Sequence, residues 1–131
     1  MVALLATLVW GCSSDGSDGS DGSDSAGPVS CTAAIPGAAG GAAAPAVCVE
    51  LVGGTAQDVA GNRQQCMQPG NTFALALCSH AGASGGCREN FGAVQITTWY
   101  YADTTAADTK DLCDGLARVA PKGVTIDFVL P

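Results

Sequence analysis

The chain has 131 residues, seven of them Cys, and its 12 acidic and five basic side chains leave a formal net charge of −7. That length suits one domain, and no apolar run approaches the roughly 20 residues of a spanning helix. An acidic chain with no Lys/Arg cluster is excluded as a nucleic-acid binder that works by phosphate neutralisation. A single His and two Met leave little for acid–base or redox chemistry, and no cofactor is expected.

Residues 1–11 (M-V-A-L-L-A-T-L-V-W-G) are an uncharged apolar run that ends on a small residue before Cys12. A stretch this short reads as a secretory signal and not as a membrane span. Leu8-Val9-Trp10-Gly11-Cys12 resembles the bacterial lipobox. The resemblance implies that Cys12 is diacylated and becomes the mature N-terminus, with the lipid bilayer as its partner. Several acyl chains hold a protein stably where a single one is marginal. Ser13, not Asp, follows Cys12, which by analogy favours the outer membrane.

Residues 12–30 are expected to form the lipidated Cys and a tether. Ser-Asp-Gly repeats from Ser14 to Ser25 offer no apolar side chain to bury, so nothing offsets their conformational entropy. Their Asp residues recur every three positions, which does not fit the alternating oxygen ligands of a calcium loop.

Six Cys remain: Cys31, Cys48, Cys66, Cys78, Cys87 and Cys113. In an exported chain an even set at such loose intervals reads as a disulfide framework, because zinc sites need closely paired ligands, and no metal is expected. Residues 31–131 form the expected six-cysteine domain. Within it residues 31–46, rich in Ala, Gly and Pro, read as an irregular arm, and residues 47–131 as the compact core.

A β-α-β pattern appears twice in that core. Val47 to Val52 is a strand by its β-branched content, and Thr55-Ala56-Gln57-Asp58 is a helix-capping box. The helix runs to about Met67, and Thr72 to Leu77 alternates as a strand. Val94 to Tyr101 alternates again, Thr105-Ala106-Ala107-Asp108 repeats the box, the helix stops at Pro121, and a last strand covers Gly123 to Leu130. The order suggests a small disulfide-stapled α+β domain, βαββαβ and ferredoxin-like, with an irregular N-terminal arm. Each half carries a Cys in its helix, so a duplicated unit is expected. A strand start and the end of its following helix share an edge in such a unit. That geometry suggests Cys48–Cys66 and Cys87–Cys113 as equivalent bridges, leaving Cys31–Cys78 to fasten the arm.

The run from Cys48-Val49-Glu50-Leu51-Val52-Gly53 through Cys66, Cys78, Gly85-Gly86-Cys87 and Thr97-Thr98-Trp99-Tyr100-Tyr101 to Cys113 resembles the small six-cysteine lipoproteins of myxobacteria. The resemblance covers most of residues 31–131 and implies anchoring and cysteine pairing; it contributes no mechanism. Here the Ala/Gly arm between the first two domain cysteines is long.

His80 has no catalytic motif around it and reads as a surface His. Gly82 to Gly86 reads as a hairpin-type connection. If Val94, Ile96 and Tyr100 face the helices, then Gln95, Thr97, Trp99 and Tyr101 line the other side of the sheet. That row would be a binding surface for a glycan or an envelope protein unless the arm covers it. The expected function is therefore a non-catalytic structural or recognition role in a lipid-anchored protein of the bacterial cell envelope, facing the periplasm or the exterior, and not an enzyme. The alternatives are a small secreted hydrolase, an inhibitor-like module, or a carbohydrate- or protein-binding module using Trp99 and Tyr101.

Overall fold

The structure, a computed structural model, describes residues 25–34, 45–101 and 104–131. The signal run, Cys12, the tether to residue 24 and arm residues 35–44 lie outside the described residues.

Both T-x-x-D segments nucleate helices. Thr55 takes extended backbone angles and its hydroxyl accepts from Asp58 N at 3.3 Å, while the Asp58 carboxylate accepts from Thr55 N at 2.7 Å. This box opens α1 (Ala56–Cys66). Thr105 and Asp108 repeat it at 3.2 and 3.1 Å, opening α2 (Ala106–Val119). Hydrogen bonds from the Thr105 side chain and then its backbone hold the Asp108 carboxyl below the usual carboxylate range.

The described residues also form six strands: β1 (Val29–Ala34), β2 (Pro45–Val52), β3 (Asn71–Ala74), β4 (Gly85–Phe91), β5 (Val94–Tyr100) and β6 (Thr125–Val129). They form one antiparallel sheet in the order β3-β1-β2-β5-β4-β6. The α+β, disulfide-stapled class is as expected, but the chain order ββαβββαβ is not the six-element ferredoxin-like one. Two strands were missing from the sequence-based expectation. β1 takes the end of the supposed tether and the start of the supposed arm, and β4 takes the last two glycines of the glycine-rich connection and the segment after them. Cys31 thus sits in a strand, and residues 45–46 begin β2.

The two extra strands explain the architecture. Each half is a hairpin, a helix and a returning strand: β1-β2-α1-β3, then β4-β5-α2-β6. In each, the last strand pairs with the first, so the helix crosses over the first strand. The halves meet at β2–β5 around Val49↔Thr98. Exchanging the strands maps Val47↔Tyr100 onto Leu51↔Ile96, as a pseudo-twofold axis requires. The correspondence extends outward. Cys31 is flanked by Val49 and Phe73, and Cys87 by Thr98 and Phe128.

This symmetry corrects the cysteine pairing. The bridges are Cys31–Cys66, Cys48–Cys78 and Cys87–Cys113. The expected Cys48–Cys66 and Cys31–Cys78 bonds are not formed, because the strand equivalent to β4 is β1, not β2. Each helix is clipped to the strand beneath it, α1 through Cys31 and α2 through Cys87. The helical cysteines stand 11 and eight residues after their N-caps, a difference of three residues that keeps them on one helix face.

Candidate functional site

Directly opposed residues in antiparallel strands share a face. Cys31, Val49, Thr98, Cys87 and Phe128 therefore form one row on the helix side. Cys48, Trp99 and Gly86 form a row on the other side, beside a second row of Ser30, Glu50, Thr97, Arg88 and Asp127. The expectation that Thr97 and Trp99 face away from the helices holds.

The expected binding surface is nevertheless closed. Trp99 is 2 % exposed, Thr97 1 % and Tyr101 6 %, while Gln95 is half-buried. Topology supplies the cover. To pass from β3 to β4 the chain must cross β1, β2 and β5, and the helices occupy the opposite face. That lateral distance is about 19 Å at ~4.8 Å per strand, well within the reach of ten residues. Residues 75–84 make the crossing, so the stretch Leu75–Leu77, read from the sequence as strand, leaves the sheet with Leu75 and Leu77 exposed.

The crossing segment is held at several points. Cys78 is bonded to Cys48, and its backbone N–H donates to Glu50 Oε2 at 3.2 Å. Tyr101 donates its hydroxyl to the Ser79 carbonyl. His80 stacks on Trp99 with ring centroids 4.0 Å apart, and its Nε2 stands 3.5 Å from Glu50 Oε2. The side chain of His80 is 38 % exposed, so it lies at the surface and at the same time forms part of the cover. Ser84 N and Oγ both donate to the Tyr100 carbonyl, and Ser84 Oγ is 3.0 Å from Thr109 Oγ1 at the start of α2. Ala83 and Val129 close the sides of the cluster.

Gly85 and Gly86 make this packing possible. A Cβ on Gly86 would lie 3.0 Å from Trp99 Cε3 and 3.2 Å from Thr97 Cγ2, and one on Gly85 would lie 2.5 Å from Phe128 Cε2. The two glycines thus admit one ring on each face of β4. The sequence-based reading of them as a turn missed this role, which the nearby Trp and Phe do not signal without the register.

Burial and the Glu50 carboxylate together raise the Tyr101 pKa above its ordinary value. On the helix side Glu89 lies between Ile96 and Ile126, and burial raises its pKa. Burial and then the Glu89 charge raise that of Tyr100. A raised carboxyl pKa means that folding favours the protonated acid. Ionised Glu89 therefore subtracts from stability at neutral pH, and the penalty fades as pH falls towards the ordinary value of 4.5. Glu89→Gln is expected to melt above the wild type at neutral pH, with the two curves converging below pH 4.5 in thermal scans.

A groove of about 190 Å³ on the helix side is lined by Cys31, Val47 and Val49 from the sheet and by Asn62 and Gln65 from α1. It carries no charged side chain. Among the described residues no group of His, Cys, Asp or Glu could hold a metal ion, and no helix is long and apolar enough to cross a membrane. Comparison with family models, curated proteins and solved structures returned no match. The three disulfides themselves point to an oxidising, extracytoplasmic compartment, since thiols in the cytosol are kept reduced.

Proposed function

We propose that this is a lipid-anchored protein of a bacterial cell envelope, held through Cys12, whose six-cysteine domain has a non-catalytic structural or recognition role. The observation that carries the reading is that the domain's stability is covalent. α1 buries Cys66 alone and α2 buries Thr109 and Cys113, so each helix depends on its bridge more than on an apolar stripe. A domain built this way needs an oxidising compartment, and the apolar run ending at Gly11-Cys12 offers the route and the anchor. The resemblance to six-cysteine lipoproteins supports the same reading.

Two observations favour a role without catalysis. All six domain thiols are consumed in disulfides, which leaves no cysteine nucleophile among the described residues. His80 is packed against Trp99 and directed at Glu50.

Labelling cells with a fatty-acid analogue tests the anchor. The wild type is expected to incorporate the label and sediment with membranes, whereas Cys12→Ser loses the label and appears in the soluble fraction. Equal labelling of both would overturn the anchor. A hydrolytic activity abolished by His80→Ala would overturn the non-catalytic role.

A further inference from the structure

The pseudo-twofold accounts for two disulfides and leaves the third unexplained. Cys31–Cys66 and Cys87–Cys113 are equivalent clips between a helix and the strand beneath it. Cys48–Cys78 has no counterpart, since the position matching Cys48 across β2–β5 is Thr97. It lies on the opposite face, and its partner sulfur belongs to the segment crossing Trp99. We propose that Cys48–Cys78 is an exchangeable strap, opened by an extracytoplasmic dithiol before the other two bridges, and that its opening uncovers Trp99.

Three features support this order. First, opening the strap detaches a connecting segment and leaves both helices clipped and every strand paired. Second, Thr32 Oγ1 donates a hydrogen bond to Cys48 Sγ at 3.2 Å. That contact stabilises negative charge on Cys48 and makes it the better leaving group, and faster exchange follows from a better leaving thiolate. Among the described residues no hydroxyl donates to the sulfurs of the two helix clips. Third, the residues flanking Cys78, which is itself 8 % exposed, are open to solvent: Leu77 is 50 % exposed, and Ser79 is exposed too. Cys87 and Cys113 are each 1 % exposed beneath α2, whereas Cys31 is half-buried. Accessibility therefore sets the strap apart from the α2 clip alone, and the first two features set it apart from the α1 clip.

The chemistry balances as follows. One thiolate of the dithiol attacks Cys78 Sγ, a mixed disulfide forms, and Cys48 departs as a thiolate that takes up a proton. The second thiol of the reagent then attacks the mixed disulfide and releases Cys78. The reagent leaves as a disulfide, and the protein gains two electrons and two protons. With the covalent tie gone, the cover over Trp99 rests on non-covalent contacts: the stack of His80, the Glu50 contact, the Tyr101–Ser79 hydrogen bond and the Ser84 anchor at its end.

The test uses the full chain carrying Trp10→Phe, so that Trp99 is its single indole. The protein is titrated with dithiothreitol, trapped by alkylation and mapped by mass spectrometry, while Trp99 emission and far-UV circular dichroism are recorded. Cys48 and Cys78 are expected to be alkylated first, with red-shifted emission and unchanged circular dichroism. Thr32→Val is expected to slow that step by about threefold and leave the other bridges unaffected. Cys48→Ala/Cys78→Ala should show the same red shift with no reductant. The proposal is overturned if a helix clip opens first or all three open together with loss of circular dichroism. It is also overturned if emission stays unchanged once Cys48 and Cys78 are alkylated, or if Thr32→Val exchanges at the wild-type rate.

Discussion

Trp99→Ala is expected to lower the unfolding free energy by about 3–5 kcal/mol, the range for removing a fully buried large side chain. The indole is 2 % exposed and touches both faces of its own enclosure. Below it Gly86 leaves no room for a Cβ, and above it lie His80 and the Cys48–Cys78 bridge. Truncation would leave a hollow that cannot collapse, because the sheet beneath is hydrogen-bonded and the segment above is covalently tied. For a domain of about 100 residues whose total stability is of order 5–15 kcal/mol, that loss is severe. Denaturant titration measures it. A loss under about 1 kcal/mol would mean that the indole contributes little packing and that the row is a surface after all.

Removing either helix clip is expected to cost about 3–4 kcal/mol, the chain-entropy value for loops closed across 35 and 26 residues. The two clips should differ in how the loss is distributed. α1 buries Cys66 alone, so in Cys31→Ser/Cys66→Ser the helix should lose amide protection locally before the sheet unfolds. α2 has Thr109, fully buried and bonded near Ser84, as a second attachment. Cys87→Ser/Cys113→Ser should therefore unfold more nearly as one unit. Hydrogen exchange on both variants separates these outcomes, and uniform protection of α1 in the first would contradict the assignment.

The helices were legible because their signals are local. T-x-x-D is read from four residues, and both boxes form as expected. β2 announces itself by its β-branched content, and β5 and β6 by alternating apolar residues. β1 and β4 do not. V-S-C-T-A-A lies against an Ala/Gly stretch, and G-G-C-R-E-N-F carries two glycines, two charges and an Asn. Both are inner strands, each paired on two sides, so their strand character comes from neighbours distant in sequence. Missing them shifted the repeat by one strand, and the pairing of Cys31, Cys48, Cys66 and Cys78 followed it.

The candidate surface was legible to the same depth. Alternation placed Thr97 and Trp99 on the face away from the helices, which the register bears out. What covers that face depends on strand order, a non-local property. Once β3 and β4 are separated by three strands, the connection between them has to cross the centre of the sheet.

Peptide mapping of the native, non-reduced protein tests the duplicated architecture most directly. Proteolysis should release disulfide-linked peptides joining Cys31 to Cys66, Cys48 to Cys78 and Cys87 to Cys113. A peptide joining Cys48 to Cys66, or a free thiol at Cys31, Cys66, Cys87 or Cys113 in the native protein, would contradict it.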